Sequence, residues 1–185
     1  MHICGVDEAG RGCLAGPVVA AAVILDREKS WEGIRDSKLL TPLSRKRLFK
    51  KILRDSVAWG VGVTGAEQVD RINVFNATVT AMRKAIVSLG RSPDLVLIDA
   101  VKIPGLEIPS MSIIGGDRVS YSVAAASIVA KVYRDSLMEK LHPLFPAYNF
   151  SRNKGYGTEE HKKALFLHGP SSIHRTTFHG VLVDV

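Results

Sequence analysis

The run DLVLID, residues 94–99, narrows the choice of folds more than any other segment. Its centre is apolar at every position, so neither face suits water. A short strand of that kind is covered on both sides, as in a parallel sheet with helices above and below. HICGVD (2–7) reads as another buried strand, and it too ends in an aspartate. PVVAAAVIL (17–25) reads as a second strand, antiparallel to the first, although the connection EAGRGCLAG is long for a tight hairpin. VAWGVGVTG (57–65) alternates small and large apolar residues and reads as a third strand. EIPSMSIIGG (107–116) supplies an edge strand, since Pro109 bars it from a central place.

Helical spacing fills the intervals. One helix starts at Thr41 or Ser44, with Leu48, Ile52 and Leu53 inward. A second spans 73–90, with Val74, Ala77, Thr78, Ala81, Ala85 and Leu89 on one side and Gly90 at its end. The longest is predicted over 120–141. The last, 159–168, opens with two glutamates at its positive end. The order predicts an α/β fold: one mixed sheet flanked by helices. At 185 residues one domain is the default, here divided into a main body (1–141) and a small C-terminal region (142–185) with the KGYGT loop and the last helix.

Lys and Arg number 25 against 18 acids, a net charge of +7 that favours an anionic partner, nucleic acid first. Two cysteines, Cys4 and Cys13, make no disulfide framework and no zinc spacing, and read as small buried residues. No apolar run approaches the ~20 residues of a membrane span. Charges arrive too early for a signal peptide. The expectation is a cytoplasmic, monomeric protein with no membrane contact.

Asp7 and Asp99 each close an apolar strand at its carboxyl end, where open α/β sheets bind ligands. If the two strands are parallel neighbours, the carboxylates lie side by side. Glu8 and Asp117 bring the acids to four. Carboxylates so gathered repel unless a divalent cation sits among them, and oxygen-only ligands favour Mg²⁺ or Mn²⁺. Two such ions can hydrolyse a phosphodiester. Each acid also has a plainer reading: Asp117 as the cap of the long helix, Asp99 as a turn residue. Glu8 has a geometric difficulty, because consecutive strand residues point to opposite faces. Asp135 reads as a structural partner of Arg134 or a nearby base.

Gly10 and Gly12 flank Arg11, leaving backbone N–H groups and a cation for phosphate or sugar oxygens. In KGYGT two glycines flank Tyr156, an aromatic suited to a sugar, a base or a 2′-OH. The stretch 44–54, SRKRLFKKILR, has six cations and no acid; Arg45, Lys46, Lys50 and Arg54 face water and a phosphate backbone is one possible partner. Lys38, in DSKLL, is a further candidate for a phosphate. His161 reads as a helix-surface residue.

Together, GVDEAGRGCLAGPVVAAAVIL, DSKLL, LIDA, GGDRVSYSVAAASIVAKVYRD, FPAYNFSRNKGYGTEEH and HRTTF resemble type 2 ribonuclease H, the bacterial ribonuclease HII family, in order and over nearly the whole chain. The resemblance implies a ribonuclease H-like fold. It implies cleavage of RNA in RNA/DNA hybrids and incision 5′ of ribonucleotides in duplex DNA, with two Mg²⁺ or Mn²⁺ ions, leaving 5′-phosphate and 3′-hydroxyl ends. The family's catalytic and metal-binding quartet falls on Asp7, Glu8, Asp99 and Asp117. Its substrate-binding residues fall on Gly10, Arg11, Gly12 and Tyr156. One departure is Ala100, where many bacterial members have glycine. Two other readings stay open: a DNA-directed nuclease of the same fold, and a non-catalytic hybrid-binding module.

Overall fold

The structure is a computed structural model that describes residues 1–34 and 40–182. Strands β1 (Ile3–Ala9), β2 (Val18–Ile24), β3 (Ala58–Thr64), β4 (Leu95–Asp99) and β5 (Ser110–Ile113) form one sheet in the order β3-β2-β1-β4-β5. β1 pairs antiparallel with β2 and β2 with β3, while β1–β4 and β4–β5 are parallel. The sheet is therefore mixed, with the predicted edge strand at its rim.

Helix α1 (Pro42–Asp55) follows β2, and α2 (Ala66–Val87) follows β3. After β5 come the single turn α3 (Gly116–Val119), the long α4 (Tyr121–Leu141), the short α5 (Phe150–Asn153) and α6 (Glu159–His168). Cys4, Val6, Ala20, Ala22, Val96 and Ile98 pack under α2. Ala9, Ala21 and Val23 pack on the other face, under α4 and α1. β2 is buried at every residue, as a strand covered on both faces must be. A Cβ on Gly5 would lie 2.1 Å from the Ser122 carbonyl carbon, so this strand residue has no side chain because α4 lies directly on it. Among the described residues no helix is long and apolar enough to cross a membrane.

One predicted boundary and one predicted cap are revised. α2 begins at Ala66, seven residues before the predicted start, but Asn73 breaks it at φ 64 and ψ 164. Asn73 Oδ1 then accepts from Asn76 N at 3.0 Å and starts the second segment. The early turns escape prediction because Val69 and Ile72 are their only large apolar residues. Asp117 lies in α3, and Ser120 caps α4 by accepting from Val123 N at 3.4 Å. The cap reading of Asp117 therefore falls. Asp135 pairs with Lys131 at 2.9 Å, while the neighbouring Arg134 turns into the core.

A third cluster joins Ala15 and Met138 to Tyr148, Phe150, Leu165 and Val181. His161, expected on the surface, is fully buried here. Ser171 N–H donates to His174 Nδ1 at 2.9 Å, which leaves the His174 proton on Nε2. His174 Nε2 meets His161 Nε2 at 2.9 Å, and His161 Nδ1–H donates to the Tyr156 carbonyl at 2.8 Å. This relay of neutral rings works in one direction only. A second proton would place N–H against N–H.

Two predictions follow from these packing details. Ala100 has φ 49, a left-handed conformation that an L side chain resists, at the position where the resemblance expects glycine. Ala100→Gly is expected to stabilise by up to about 1 kcal/mol, raising the melting temperature by about 2–4 °C. A lower melting temperature contradicts the strain. Burial pushes His174 down to about 4, with His161 adding to it, and burial lowers His161 as well. The folded state therefore binds fewer protons than the unfolded chain between roughly pH 6.5 and pH 4, and these rings withdraw stability as pH falls through that window. In His174→Gln, the urea midpoint should change less between about pH 7 and pH 5 than in the parent chain. An unchanged slope shows that the relay does not titrate in this way.

Candidate active site

The parallel ladder pairs Val6 with Ile98, so one step further brings Asp7 beside Asp99 at the carboxyl edge. Asp7 is in line with Gly5 and Ala9 on the α4 side, and Ser127 of α4 hydrogen-bonds its carboxyl. Its Oδ1 also accepts from Glu8 N at 2.7 Å. Burial first, then the charge of Glu8, pushes the Asp7 carboxyl up to about 8. Asp99 adds to that push and acts on Glu8 too. Asp99 Oδ1 accepts from Gly116 N at 2.7 Å, and the next residue is the buried Asp117. The first residue of α3 is thus tied to the third acid, with the fourth acid next in sequence.

β1 does not stop at Asp7 but runs to Ala9, so the alternation holds and Glu8 points away from Asp7. The ladder to β4 ends at Val6, however, and at Glu8 no strand lies on that side. Its Oε1 accepts from Arg11 Nη1 at 3.1 Å. Its Oε2 is buried and has no hydrogen-bond partner. Burial raises the Glu8 carboxyl, against the opposing pull of Arg11. Among the described residues no group of three Asp, Glu, His or Cys side chains forms a ready-made metal cage. Asp7, Glu8 and Asp99 have each taken a local protein donor instead. The donor set still suits a hard divalent cation: oxygen ligands only, a buried Glu8 oxygen with no hydrogen bond and mutual repulsion along the edge.

Glu8, Gly10, Arg11, Arg45, Ser127, Lys131 and Tyr156 line a cleft of about 410 Å³. Arg45, expected to face water with the rest of its helix, turns its side chain toward this cleft. Tyr156 is 41% exposed, with Lys131 Nζ 5.1 Å and Arg134 Cζ 5.8 Å from its ring centre. Lys38 lies outside the described residues.

The two glycines around Arg11 have different causes. Gly10 has φ 94, and a Cβ there would lie 2.0 Å from Arg134 Nε, so the fold itself demands glycine. A Cβ on Gly12 would meet nothing within 4 Å. Among the described residues no atom accounts for that glycine, and the space beside it opens outward. Sequence reasoning passed over Ser127 and Lys131 in the cleft and Arg134 behind it. Their signal lay in AAASIVAKVYRD, where four of the letters one turn apart are polar or basic.

The chain matches the family model described as Ribonuclease HII over residues 4–181. It is 52% identical over 176 residues to the ribonuclease HII of Caldicellulosiruptor saccharolyticus, covering 95% of this chain and 86% of that protein. It is 53% identical over 178 residues to the ribonuclease HII of Chlamydia trachomatis serovar L2, covering 96% and 82%. The crystal structure of ribonuclease H2 from Pyrococcus horikoshii OT3 superposes with a TM-score of 0.81 at 26% identity, covering 98% of this chain and 95% of that one. A match over that span, with relatives sharing half their residues, means that the chain belongs to the ribonuclease HII family.

Proposed function

We propose that the cleft between the acidic edge and the Arg11 and Tyr156 loops cleaves the RNA strand of RNA/DNA hybrids and incises duplex DNA 5′ of an embedded ribonucleotide. Family membership makes the chain a hydrolytic type 2 ribonuclease. One observation supports the finer reading above the others: Glu8, Arg11 and Tyr156 line the same cleft, so one acid of the quartet and the sugar-reading groups can address one nucleotide step.

Asp7, Glu8, Asp99 and Asp117 would hold two divalent ions, Mg²⁺ or Mn²⁺. When bound, such ions stabilise charge on a phosphodiester and make water nucleophilic at neutral pH. The protein's own contribution is position. Arg11 places a cation beside the acids to meet a phosphate oxygen. The open side of Gly12 lets a sugar approach its backbone, where a 2′-OH finds hydrogen-bonding groups. Tyr156 offers its exposed ring face to the neighbouring sugar at the RNA-to-DNA step. Ser127 fixes the orientation of Asp7. Arg45 and Lys131 at the rim attract the polyanion without touching the reacting atoms.

Asp7→Asn should lower cleavage of a duplex with one embedded ribonucleotide by at least about a hundredfold, the scale of losing an electrostatic stabiliser of the transition state. The variant should melt no lower than the parent in the presence of a chelator, because a neutral amide replaces a carboxyl whose ionisation burial and two neighbouring acids already disfavour. Near-normal turnover would sink the assignment of Asp7. Gly12→Ala isolates the substrate's claim on that position. Its stability should stay within about 0.5 kcal/mol of the parent, since its Cβ meets no protein atom. Its cleavage should fall by about tenfold to a hundredfold, the scale of an ångström's misplacement. Full activity in Gly12→Ala would mean that no ligand occupies the space.

A further inference from the structure

Arg134 and Arg175 are fully buried, and neither makes an ion pair with a carboxylate among the described residues. Burying an unpaired guanidinium is costly, and an apolar side chain of similar volume would serve mere packing better. All their hydrogen bonds go to backbone carbonyls. Arg134 donates to Pro17 O at 2.9 Å, Ala15 O at 3.1 Å and Lys154 O at 2.8 Å. Arg175 donates to Gly16 O at 3.1 and 2.9 Å and to Arg11 O at 2.8 Å. These carbonyls belong to the two loops that flank the cleft. Arg134 also packs beneath Gly10 and beside the Tyr156 ring.

The loops touch each other directly as well. Leu14 N donates to Gly155 O at 2.9 Å, and a Cβ on Gly155 would sit 2.4 Å from Ala15 O. Arg175 is anchored in turn by its chain neighbours. Asp70 of α2 accepts from Thr176 N at 2.7 Å and Oγ1 at 2.9 Å, and from Thr177 N at 3.2 Å and Oγ1 at 2.6 Å. The Arg175 guanidinium lies 5.1 Å from the Phe178 ring centre. The body of the fold thus grips the Arg11 loop from below at one end and ties it to the Tyr156 loop at the other.

We propose that Arg134 and Arg175 are positioning residues that set the separation of the Arg11 and Tyr156 loops, and with it the preference for a lone ribonucleotide over a continuous hybrid. The proposal rests on the reading of those loops given above. A lone ribonucleotide offers a single RNA-to-DNA step, so both loops must meet it at once. A continuous hybrid offers many equivalent registers and tolerates a shifted spacing. The role needs a planar fork with several donors, which lysine lacks.

The test compares kcat/KM on a duplex with one embedded ribonucleotide and on a continuous RNA/DNA hybrid, with Mg²⁺ and with Mn²⁺, below the melting temperature of each variant. Arg134→Lys and Arg175→Lys should lower the single-ribonucleotide value at least tenfold more than the hybrid value. A merely structural role would lower both by one factor, and that result overturns the proposal. Asp70→Ala loosens the segment carrying Arg175 and leaves both guanidiniums in place. It should move the ratio the same way by a smaller factor, and if the lysine variants do not fold, an unchanged ratio in Asp70→Ala overturns the proposal on its own. Tyr156→Ala separates the two ideas. If it shifts the ratio and the other variants do not, the clamp is wrong while the tyrosine reading stands. If Tyr156→Ala leaves the ratio unchanged, the reading beneath falls and the clamp with it.

Discussion

The parallel pairing of β1 with β4 is the constraint on which the rest of the molecule depends. It brings Asp7 and Asp99 side by side at the carboxyl edge, and it requires both strands to be covered on two faces. α4 meets one of those faces so closely that Gly5 has no room for a side chain. The same approach delivers Ser127 to Asp7, Lys131 to the cleft and Arg134 to the loops behind it. A site assembled in this way is expensive: burial and neighbouring carboxylates lift Asp7 to about 8. The sheet tolerates that cost because a hydrophobic layer packs on each of its faces, under α2 and under α4. Activity and stability draw on the same strands in opposite senses.

Much of the frame could be read from the chain. Unbroken apolar runs end at charged or glycine-rich turns, so β1 to β4 emerge from pattern alone. Thr41 and Thr158 cap α1 and α6 close to where spacing starts them. What resisted reading shares a cause. Asn73 breaks α2 through its own backbone and side chain, and no periodicity records that. His161 appears polar on a helix, but its donor and acceptor find partners in Tyr156 and His174, residues that sequence distance hides. The acids could be picked out as strand ends, whereas their surroundings could not. Arg134 shows it best: in KVYRD it looks like the natural partner of Asp135, yet it leaves that acid to Lys131 and points inward.

Gly10 and Gly12 make the same point about single letters. As text the two are equivalent, one on each side of an arginine. In space Gly10 answers to the protein, through a positive φ and the guanidinium packed beneath it. Gly12 meets no atom of the described residues, so packing gives no cause for its missing side chain. The departure at Ala100 runs the other way. There the backbone asks for a glycine and the chain supplies a methyl group, next to Asp99.

Charge is arranged on the same logic. Only part of the net +7 lies in the cleft, whose lining holds Glu8 among three cations. Lys46, Lys50 and Arg54 are exposed along α1, and Arg11, Arg45 and Lys131 line the cleft with Glu8. Such a rim would attract a polyanion, at a rate that salt screens, while the acids would repel it unless cations intervened. Long-range attraction and local chemistry have opposite signs, so neither can substitute for the other. Beneath both lie Arg134 and Arg175, two cations withdrawn from solvent and spent on carbonyls. Their charge is screened little by salt because they are buried. They are the part of the basic surplus that serves geometry instead of attraction, which is why counting basic residues in the sequence overstates how many meet a nucleic acid.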